Sequence, residues 1–134
     1  DFSSTLRLPA DRHRHSGWEL KLIKYYATID FDIGLAPLED TLFTRSKSYI
    51  KALEYGALGI PVIASDVGPY REYVEDGVTG FLVRKESEWV DRIRLLVEDV
   101  ELREKMGAAG REKARKHTIQ VGWKKWETVF RSLM

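Results

Sequence analysis

Lys47 and Glu54, seven residues apart, are the side chains in this sequence best suited to hold a charged ligand. Lys47 precedes a run with helical spacing, so its ammonium would stand beside the free N–H groups of a helix amino end, a favourable place for a pyrophosphate. Glu54 falls two turns into that otherwise apolar run. A carboxylate there either faces solvent, which is the commoner case, or is held to bond vicinal ribose hydroxyls.

A second candidate junction is the segment Ser65-Asp66-Val67-Gly68, which leads into a predicted helix at Pro69. Ligands of open parallel sheets bind outside the carboxyl ends of the strands, and both junctions are predicted at such ends. A tight turn that starts a helix explains Gly68 and Pro69 equally well.

Several other chemistries lack their motifs. The sequence has no Gly-x-x-x-x-Gly-Lys-Ser/Thr loop, no Gly-x-Gly-x-x-Gly, and no Gly-x-Ser-x-Gly around Ser65, which argues against ATP hydrolysis, NAD chemistry and serine hydrolysis. It has no cysteine, so thiol nucleophiles and thiolate zinc sites are excluded. We expect His13 and His15 to be exposed to solvent and not to bind a metal ion. No motif in the sequence identifies a catalytic residue.

Alternating strand and helix patterns position the two junctions. Short apolar runs predict strands at 32–38, 61–65 and 79–83, the first of them buried on both faces. Helical spacing predicts helices at 18–29, at 47–58 and from Pro69 to about residue 76, and a further helix capped by Ser87. This order predicts an α/β fold, a parallel sheet flanked by helices.

The predicted helices also have expected faces. In helix 47–58 the expected inward residues are Ile50, Leu53, Ala57 and Leu58, and in the helix after Ser87 they are Trp89, Ile93, Leu96 and Val97. Beyond Asp99 the chain is predicted to be helical to its end. Its last part, 118–134, is an amphipathic helix with a stripe of apolar residues: Ile119, Trp123, Trp126, Phe130 and Leu133.

Composition bounds the class of protein. The chain has 134 residues, 43% hydrophobic and 32% charged, which is typical of one soluble domain. Its 22 Lys and Arg against 21 Asp and Glu give a net charge of +1, which disfavours general nucleic-acid binding. The basic excess lies in residues 84–134, and a solvated helical face explains it better than an anionic partner. With no apolar run long enough to cross a membrane and no signal segment at Asp1–Ser4, we expect a cytoplasmic protein without a transmembrane segment.

The chain closely resembles the nucleotide-sugar-binding, C-terminal domain of retaining glycosyltransferases built from two Rossmann-like domains, the group 1 or family 4 type, in the stretch FDIGLAPLEDTLFTRSKSYIKALEYGALGIPVIASDVGPYREYVEDGVTGFLV. The resemblance covers residues 30–83 well and the helical remainder loosely. Its most specific part is LEYGALGIPVIASDVGPYREYVEDGVTGFLV. It implies that residues 1–134 form a single, partial donor-binding domain with a Rossmann-like parallel sheet.

The resemblance also implies a set of site residues. In the family, the glutamate at the position of Glu54 binds the ribose of the donor nucleotide, and the backbone around Ser46, Lys47 and Ser48 would cradle the diphosphate. Ser46 stands where the family often has a second glutamate, and Lys47-Ser48 is similar to a lysine-serine variant of one branch. The residues expected to line the cleft are Asp66, Gly68, Pro69 and Tyr70.

The activity implied is that of a hexosyltransferase-type glycosyltransferase, which moves a sugar from a nucleoside-diphosphate sugar to a hydroxyl acceptor. The resemblance implies no cofactor and no tightly bound metal, and it suggests polysaccharide biosynthesis. It places the acceptor-binding domain outside this chain, so the chain alone is expected to be inactive. The family's last helix crosses onto that acceptor domain, which would explain the apolar stripe; packing on this domain's own sheet explains it equally well.

A function of another class is also compatible with the sequence. The chain would then be a non-catalytic Rossmann-like interaction or oligomerisation module, whose aromatic C-terminal helix docks on a partner or on a second copy in a homodimer. An unpaired sheet edge would favour such self-association.

Overall fold

A computed structural model describes residues 19–133, which fall into two units divided between Asp30 and Phe31. In the first unit, helix α1 covers Leu22–Ala27, and the rings of Tyr25 and Tyr26 lie 5.2 Å apart. The predicted helix 18–29 is therefore confirmed over a shorter range. Residues Trp18, His13 and His15, on which other expectations rest, lie outside the described residues.

The second unit contains a parallel sheet of three strands in the order β1-β2-β3. The strands are β1 (Gly34–Ala36), β2 (Val62–Ser65) and β3 (Gly80–Val83), with Leu35, Ile63 and Phe81 in register. The helices are α2 (Leu42–Arg45), α3 (Ile50–Leu58), α4 (Gly68–Tyr73), α5 (Glu86–Glu98), α6 (Val100–Arg115) and α7 (Ile119–Ser132). The α/β prediction and all three predicted strands are confirmed.

Helices cover the two faces of the sheet and form two apolar clusters, because successive side chains of a strand point to opposite faces. Val62 and Ala64 of β2 lie in the cluster formed with α3 and α4, which includes Ala52, Tyr55, Tyr70 and Tyr73. Ile63 of β2 lies in the other cluster with Phe81, Leu96 and Met106, the last two supplied by α5 and α6.

Strand β1 is buried on one face only. Gly34 and Ala36 are buried, whereas the Leu35 side chain between them is 45% exposed. The expectation that this strand is buried on both faces is wrong, because β1 is the edge of the described sheet and α5 packs on β2 and β3 instead.

Helix α3 packs on α6 through glycines. A Cβ on Gly56 would lie 3.0 Å from the carbonyl oxygen of Gly110, and a Cβ on Gly107 would overlap the carbonyl oxygen of Gly59. Gly59 ends α3 in the left-handed conformation, with φ at 77°, so the predicted end of this helix is confirmed.

This contact sets which face of α3 is buried. Its buried residues are Ala52, Tyr55 and Gly56, whereas Ile50 is 51% exposed and Ala57 is also exposed. The prediction that Ile50 and Ala57 face inward is therefore wrong. Small residues are needed where two helix backbones approach closely, and apolar spacing alone does not reveal that need.

Two helix starts differ from expectation. The predicted loop before α3 contains the one-turn helix α2, where the Thr41 hydroxyl accepts a hydrogen bond from the backbone N–H of Thr44 at 3.2 Å. Ser87 is not a cap, since α5 begins at Glu86. Instead the Glu88 carboxylate accepts from the backbone N–H groups of Arg84 at 2.6 Å and Lys85 at 3.2 Å. A carboxylate in the first turn bonds N–H groups that have no partner within the helix.

The predicted inward face of α5 is only partly correct. Leu96 is fully buried and Trp89 and Ile93 are half-buried, but Val97 is 58% exposed. Val97 therefore lies on the solvent side of the helix.

The helical C-terminal part is broken into two helices at residues 116–118. The apolar stripe of α7 is exposed: Ile119 is 83% exposed, Trp123 49%, Trp126 67% and Phe130 61%, and Leu133 just beyond it 78%. Packing of this stripe on the domain's own sheet is therefore not what the structure contains. Within residues 19–133, no helix is both long enough and apolar enough to cross a bilayer.

We predict that Gly107→Ala lowers the free energy of unfolding by about 2–3 kcal/mol, because the added methyl group must push the backbones of α3 and α6 apart. Urea denaturation followed by circular dichroism measures this change. Gly122→Ala in α7 is the matched control, because nothing lies within 4 Å of a Cβ there. It should leave the stability unchanged or raise it by up to about 1 kcal/mol. Equal effects of the two substitutions would contradict the glycine contact.

Candidate functional site

Hydrogen bonds connect the segments that follow the three strands, along the edge of the sheet formed by the carboxyl ends of the strands. The backbone N–H of Leu38, after β1, donates to the Ser65 hydroxyl at the end of β2 at 2.8 Å. The N–H of Asp66, after β2, donates to the carbonyl of Val83 at the end of β3 at 2.8 Å. This is the edge at which open parallel sheets bind their ligands.

The loop between α2 and α3 holds three of the predicted site residues, which are all exposed. Ser46 follows α2, and its hydroxyl donates to the carbonyl of Leu42 at 3.2 Å. The Lys47 ammonium lies 5.0 Å from the centre of the Phe43 ring, and Ser48 stands two residues before α3. The amino end of α3 has no side-chain cap, since its N-cap residue, Tyr49, makes no such bond.

Gly68 lies against the end of α2, where this loop begins. A Cβ on Gly68 would lie 3.0 Å from the Cα of Arg45, the last residue of α2. The structure therefore brings the start of α4 against the segment that leads to Ser46, Lys47 and Ser48.

Glu54 is half-buried in the second turn of α3. Its side chain is 15% exposed, and its Oε2 lies 3.6 Å from the ammonium of Lys51 one turn earlier. Full exposure to solvent, the commoner case for such a residue, is not what the structure has. The carboxylate is instead partly enclosed on the helix that begins next to the loop 46–48.

Pro69 and Tyr70 are buried in the core rather than open at the edge. The Tyr70 side chain belongs to the cluster between the sheet, α3 and α4, and burial raises the pKa of its hydroxyl. Of the four residues expected to line the cleft, Asp66 lines a surface cavity and Gly68 lies against Arg45 at the end of α2.

Asp66 is the most enclosed charged side chain at this edge, with 3% of the side chain exposed. The Arg71 Nε donates to its Oδ1 at 2.7 Å and the Arg84 Nε donates to its Oδ2, while the Arg71 Nη2 donates to the Asp66 carbonyl at 2.7 Å. The hydrogen bond from Arg71 is the largest influence that lowers the pKa of Asp66, and the bond from Arg84 adds to it, whereas burial raises the pKa.

Arg71 and Arg84 were not predicted from the sequence. Arg84 directly follows β3, and a basic residue at the carboxyl end of a predicted strand is a signal that could have pointed to it. Two surface cavities of about 390 and 400 Å³ open beside Asp66, and both are lined by Arg71 and Arg84.

No metal site is formed by the residues the structure describes. Between positions 19 and 133, no three His, Asp or Glu side chains are grouped closely enough to hold a metal ion.

Comparison with protein families matches residues 50–113, just under half of the chain, to Glycosyl transferases group 1. A D-inositol 3-phosphate glycosyltransferase of Paenarthrobacter aurescens is 40% identical over 80 residues, which are 58% of this chain and 19% of that protein. A trehalose synthase of Pyrococcus horikoshii is 41% identical over 61 residues, 46% of this chain and 15% of that protein. The chain thus spans less than a fifth of the length of these relatives.

Solved structures share the fold. The C-terminal domain of a group 1 glycosyl transferase of Francisella tularensis matches 81% of this chain and 52% of its own, at 21% identity and a TM-score of 0.56. Sucrose-phosphate synthase of Thermosynechococcus elongatus matches 81% of this chain and 26% of its own, at 23% identity and a TM-score of 0.65. The HepE protein of Anabaena, solved with UDP and glucose, matches 75% of this chain and 27% of its own, at 21% identity and a TM-score of 0.62.

We predict that Asp66→Asn lowers the free energy of unfolding by about 1–2 kcal/mol at pH 7, because it removes the charge that pairs with Arg71 and Arg84. The expected loss is smaller than for a fully buried ion pair, because solvent screens the two largely exposed arginines. Since the folded pKa of Asp66 is depressed, its stabilisation is complete above the unfolded pKa of about 3.9 and is lost as the pH falls through the folded value.

The difference in stability between the wild type and the variant should therefore begin to shrink as the pH falls below about 4 and should continue to shrink toward the folded pKa. The exposed Asp91→Asn in α5 is the control and should show no such difference. A gap between wild type and Asp66→Asn that stays constant from pH 7 to pH 3 would rule out this role for the carboxylate.

Proposed function

We propose that this chain is the donor-binding part of a glycosyltransferase, because residues 50–113 match Glycosyl transferases group 1 and the chain shares the fold of the C-terminal domain of such a protein. The whole enzyme would transfer a sugar from a nucleoside-diphosphate sugar to a hydroxyl acceptor. The observation that carries this proposal is the half-buried Glu54 inside the matched segment, on the helix that starts beside the loop 46–48.

Glu54 would hold the ribose of the donor. A carboxylate accepts two hydrogen bonds side by side, which suits the vicinal hydroxyls of a ribose. Its 15% exposure leaves it reachable while much of the surrounding water is excluded, so a bond to a hydroxyl there is stronger than at an open surface.

The diphosphate would lie between the amino end of α3 and Lys47. The first N–H groups of a helix have no partner within it, and the side chain of Tyr49, the N-cap residue of α3, does not bond them. These donors and the exposed Lys47 ammonium would stabilise the negative charge that develops on the leaving diphosphate. Ser46 and Ser48 border the same loop and would contribute backbone and hydroxyl donors.

The comparisons support a nucleoside diphosphate as the ligand to test first, since the Anabaena protein was solved with UDP and glucose. The chain spans 19% of the Paenarthrobacter glycosyltransferase, so the proposed reaction needs further protein to bind the acceptor. We propose that this chain binds the donor nucleotide and has no transferase activity alone.

The exposed stripe of α7 favours a second candidate function, an interaction or oligomerisation module. Trp126 and Phe130 are 67% and 61% exposed, with their rings 6.4 Å apart, and such apolar patches commonly mark interfaces. Strand β1, at the edge of the described sheet, offers a further surface for a second copy of the chain.

We predict that Glu54→Ala weakens nucleoside-diphosphate binding by about 1–3 kcal/mol, because it leaves the ribose hydroxyls without their acceptor. Isothermal titration of the chain with UDP, GDP, ADP and TDP measures this. Glu104→Ala is the control, since Glu104 is an exposed glutamate on another helix, α6. It should bind like the wild type. Unchanged affinity in a folded Glu54→Ala variant would refute the assignment of this residue.

For the second candidate, we predict that the wild-type chain sediments as a dimer and that Trp126→Ser combined with Phe130→Ser sediments as a monomer, because the apolar stripe would be the contact. Sedimentation equilibrium across a concentration series measures this. Lys124→Ser with Lys125→Ser alters the same helix and keeps its aromatic residues, so that variant should remain dimeric. A wild type that is monomeric throughout would remove self-association from consideration.

A further inference from the structure

We infer that Arg71 and Arg84, fixed by the buried Asp66, form a second anion-binding subsite that takes a phosphate group. This inference rests on the proposed function for its setting, because the subsite lies at the same edge of the sheet as the proposed donor site. The phosphate is either carried by a sugar or free in solution, and the experiment below separates these two sources.

The two arginines keep donors that the fold does not use. A guanidinium has five N–H donors, of which Arg71 uses two, the one on Nε and one of the two on Nη2, and Arg84 uses the one on Nε. Within the part of the chain that the structure describes, the Nη1 of Arg71 and both Nη groups of Arg84 have no hydrogen-bond partner. With the side chains 64% and 77% exposed, these donors are accessible to a ligand.

Asp66 holds the two guanidinium groups in place. Its side chain is 3% exposed, and each of its carboxylate oxygens accepts from a different arginine. An arginine whose Nε is anchored loses little further freedom when its remaining N–H groups bind a phosphate, and the planar group matches two oxygens at once. The carboxylate therefore has a positioning role.

The three arginines of the cavity wall, Arg71, Arg84 and Arg92, are balanced by three carboxylates, those of Asp66, Asp76 and Glu88. Recognition of an anion there would therefore come from the unused guanidinium N–H donors rather than from a net positive charge. The Asp76 carboxylate is engaged by the backbone N–H of Leu82 at 2.8 Å, and the Glu88 carboxylate by the N–H groups at the start of α5. Backbone N–H groups thus use part of the hydrogen-bonding capacity of these two carboxylates, and neither carboxylate is hydrogen-bonded to the Nη groups of the two arginines within the described residues.

The space beside the arginines suits such a ligand. The cavity that these arginines share with Asp66, Asp76, Leu82 and Glu88 has a volume of about 390 Å³. That is more than ten times the roughly 30 Å³ of a water molecule in the liquid, so a phosphate fits with room for an attached group. The Arg92 guanidinium, 4.6 Å from the centre of the Phe81 ring, adds a third cation to its wall.

This subsite is separate in sequence from the proposed diphosphate site. Lys47 and the amino end of α3 follow β1, whereas Arg71 lies on α4 and Arg84 follows β3. Substitutions at the arginines and at Lys47 can therefore tell the two sites apart.

The test titrates the chain with inorganic phosphate and follows the arginine Nε–Hε signals by NMR. We expect saturable shifts of the Arg71 and Arg84 signals. Arg84→Gln and Arg71→Gln should each weaken phosphate binding about tenfold or more, the effect of losing hydrogen bonds to a charged group. Arg131→Gln is the matched control, since Arg131 is 72% exposed and also paired with a carboxylate, that of Glu127, and it should not change the affinity.

Two results would overturn the inference. One is the absence of saturable phosphate binding by the folded chain. The other is binding that both arginine variants retain and that Lys47→Gln abolishes, which would assign phosphate to the loop 46–48. The weakening of nucleoside-diphosphate binding by Glu54→Ala is a separate result. The phosphate subsite can therefore be refuted while the proposed donor site stands, and the donor site can be refuted while the phosphate subsite stands.

Glucose 6-phosphate and glucose identify the source of the phosphate. Tighter binding of glucose 6-phosphate than of inorganic phosphate, lost in Arg84→Gln, supports a subsite for a sugar-borne phosphate. Equal binding of the two supports a subsite for free phosphate. Glucose alone should not shift the arginine signals, and a shift as large as that given by phosphate would contradict anion recognition.

Discussion

The close approach of α3 and α6 is the contact on which the geometry of the candidate site depends. Gly56 and Gly110 allow the two backbones to approach closely. Gly107 packs against the carbonyl of Gly59, where any side chain on residue 107 would collide with the carbonyl oxygen. Since α3 carries Glu54 and ends at Gly59, directly before β2, this contact fixes both the height of the carboxylate above the sheet and the entry of the chain into its central strand. Because the two backbones are in direct contact, the distance between α3 and α6 can change little, and no flexible side chain between them can adjust to a shift of α3.

At the other end of β2, Asp66 resolves a conflict between burial and charge. Removing a carboxylate from water costs several kcal/mol unless hydrogen bonds replace those of the solvent. Asp66 gains such bonds from Arg71 and Arg84, which remain largely hydrated themselves, so the cost of desolvation falls on one partner only. The result links α4 to the end of β3 through a single side chain.

The sequence predicted the features that arise locally. Short apolar runs identified the three strands, Gly59 with Pro61 marked the end of α3, and the alternation of elements gave the parallel sheet. Features that depend on contacts distant in sequence were not predictable in this way. The buried face of α3 is set by glycines of α6 some fifty residues away, and Arg84 meets Asp66 across eighteen residues. Helical periodicity predicts that α7 has an aromatic stripe, but it does not predict whether the stripe is buried. In the structure, α7 follows a break in the helix and its stripe is exposed.

The nearly neutral chain, with a net charge of +1, has no strong long-range field that could gather anions over its whole surface. Recognition of a phosphate must then come from donors already in place. Lys47 offers a mobile charge on a flexible stem, which tolerates variation in the ligand. The arginines tied to Asp66 offer fixed planar donors, which demand a defined oxygen geometry. If both proposals hold, this edge of the sheet would bind a common diphosphate loosely at one junction and select for a further oxyanion at the next.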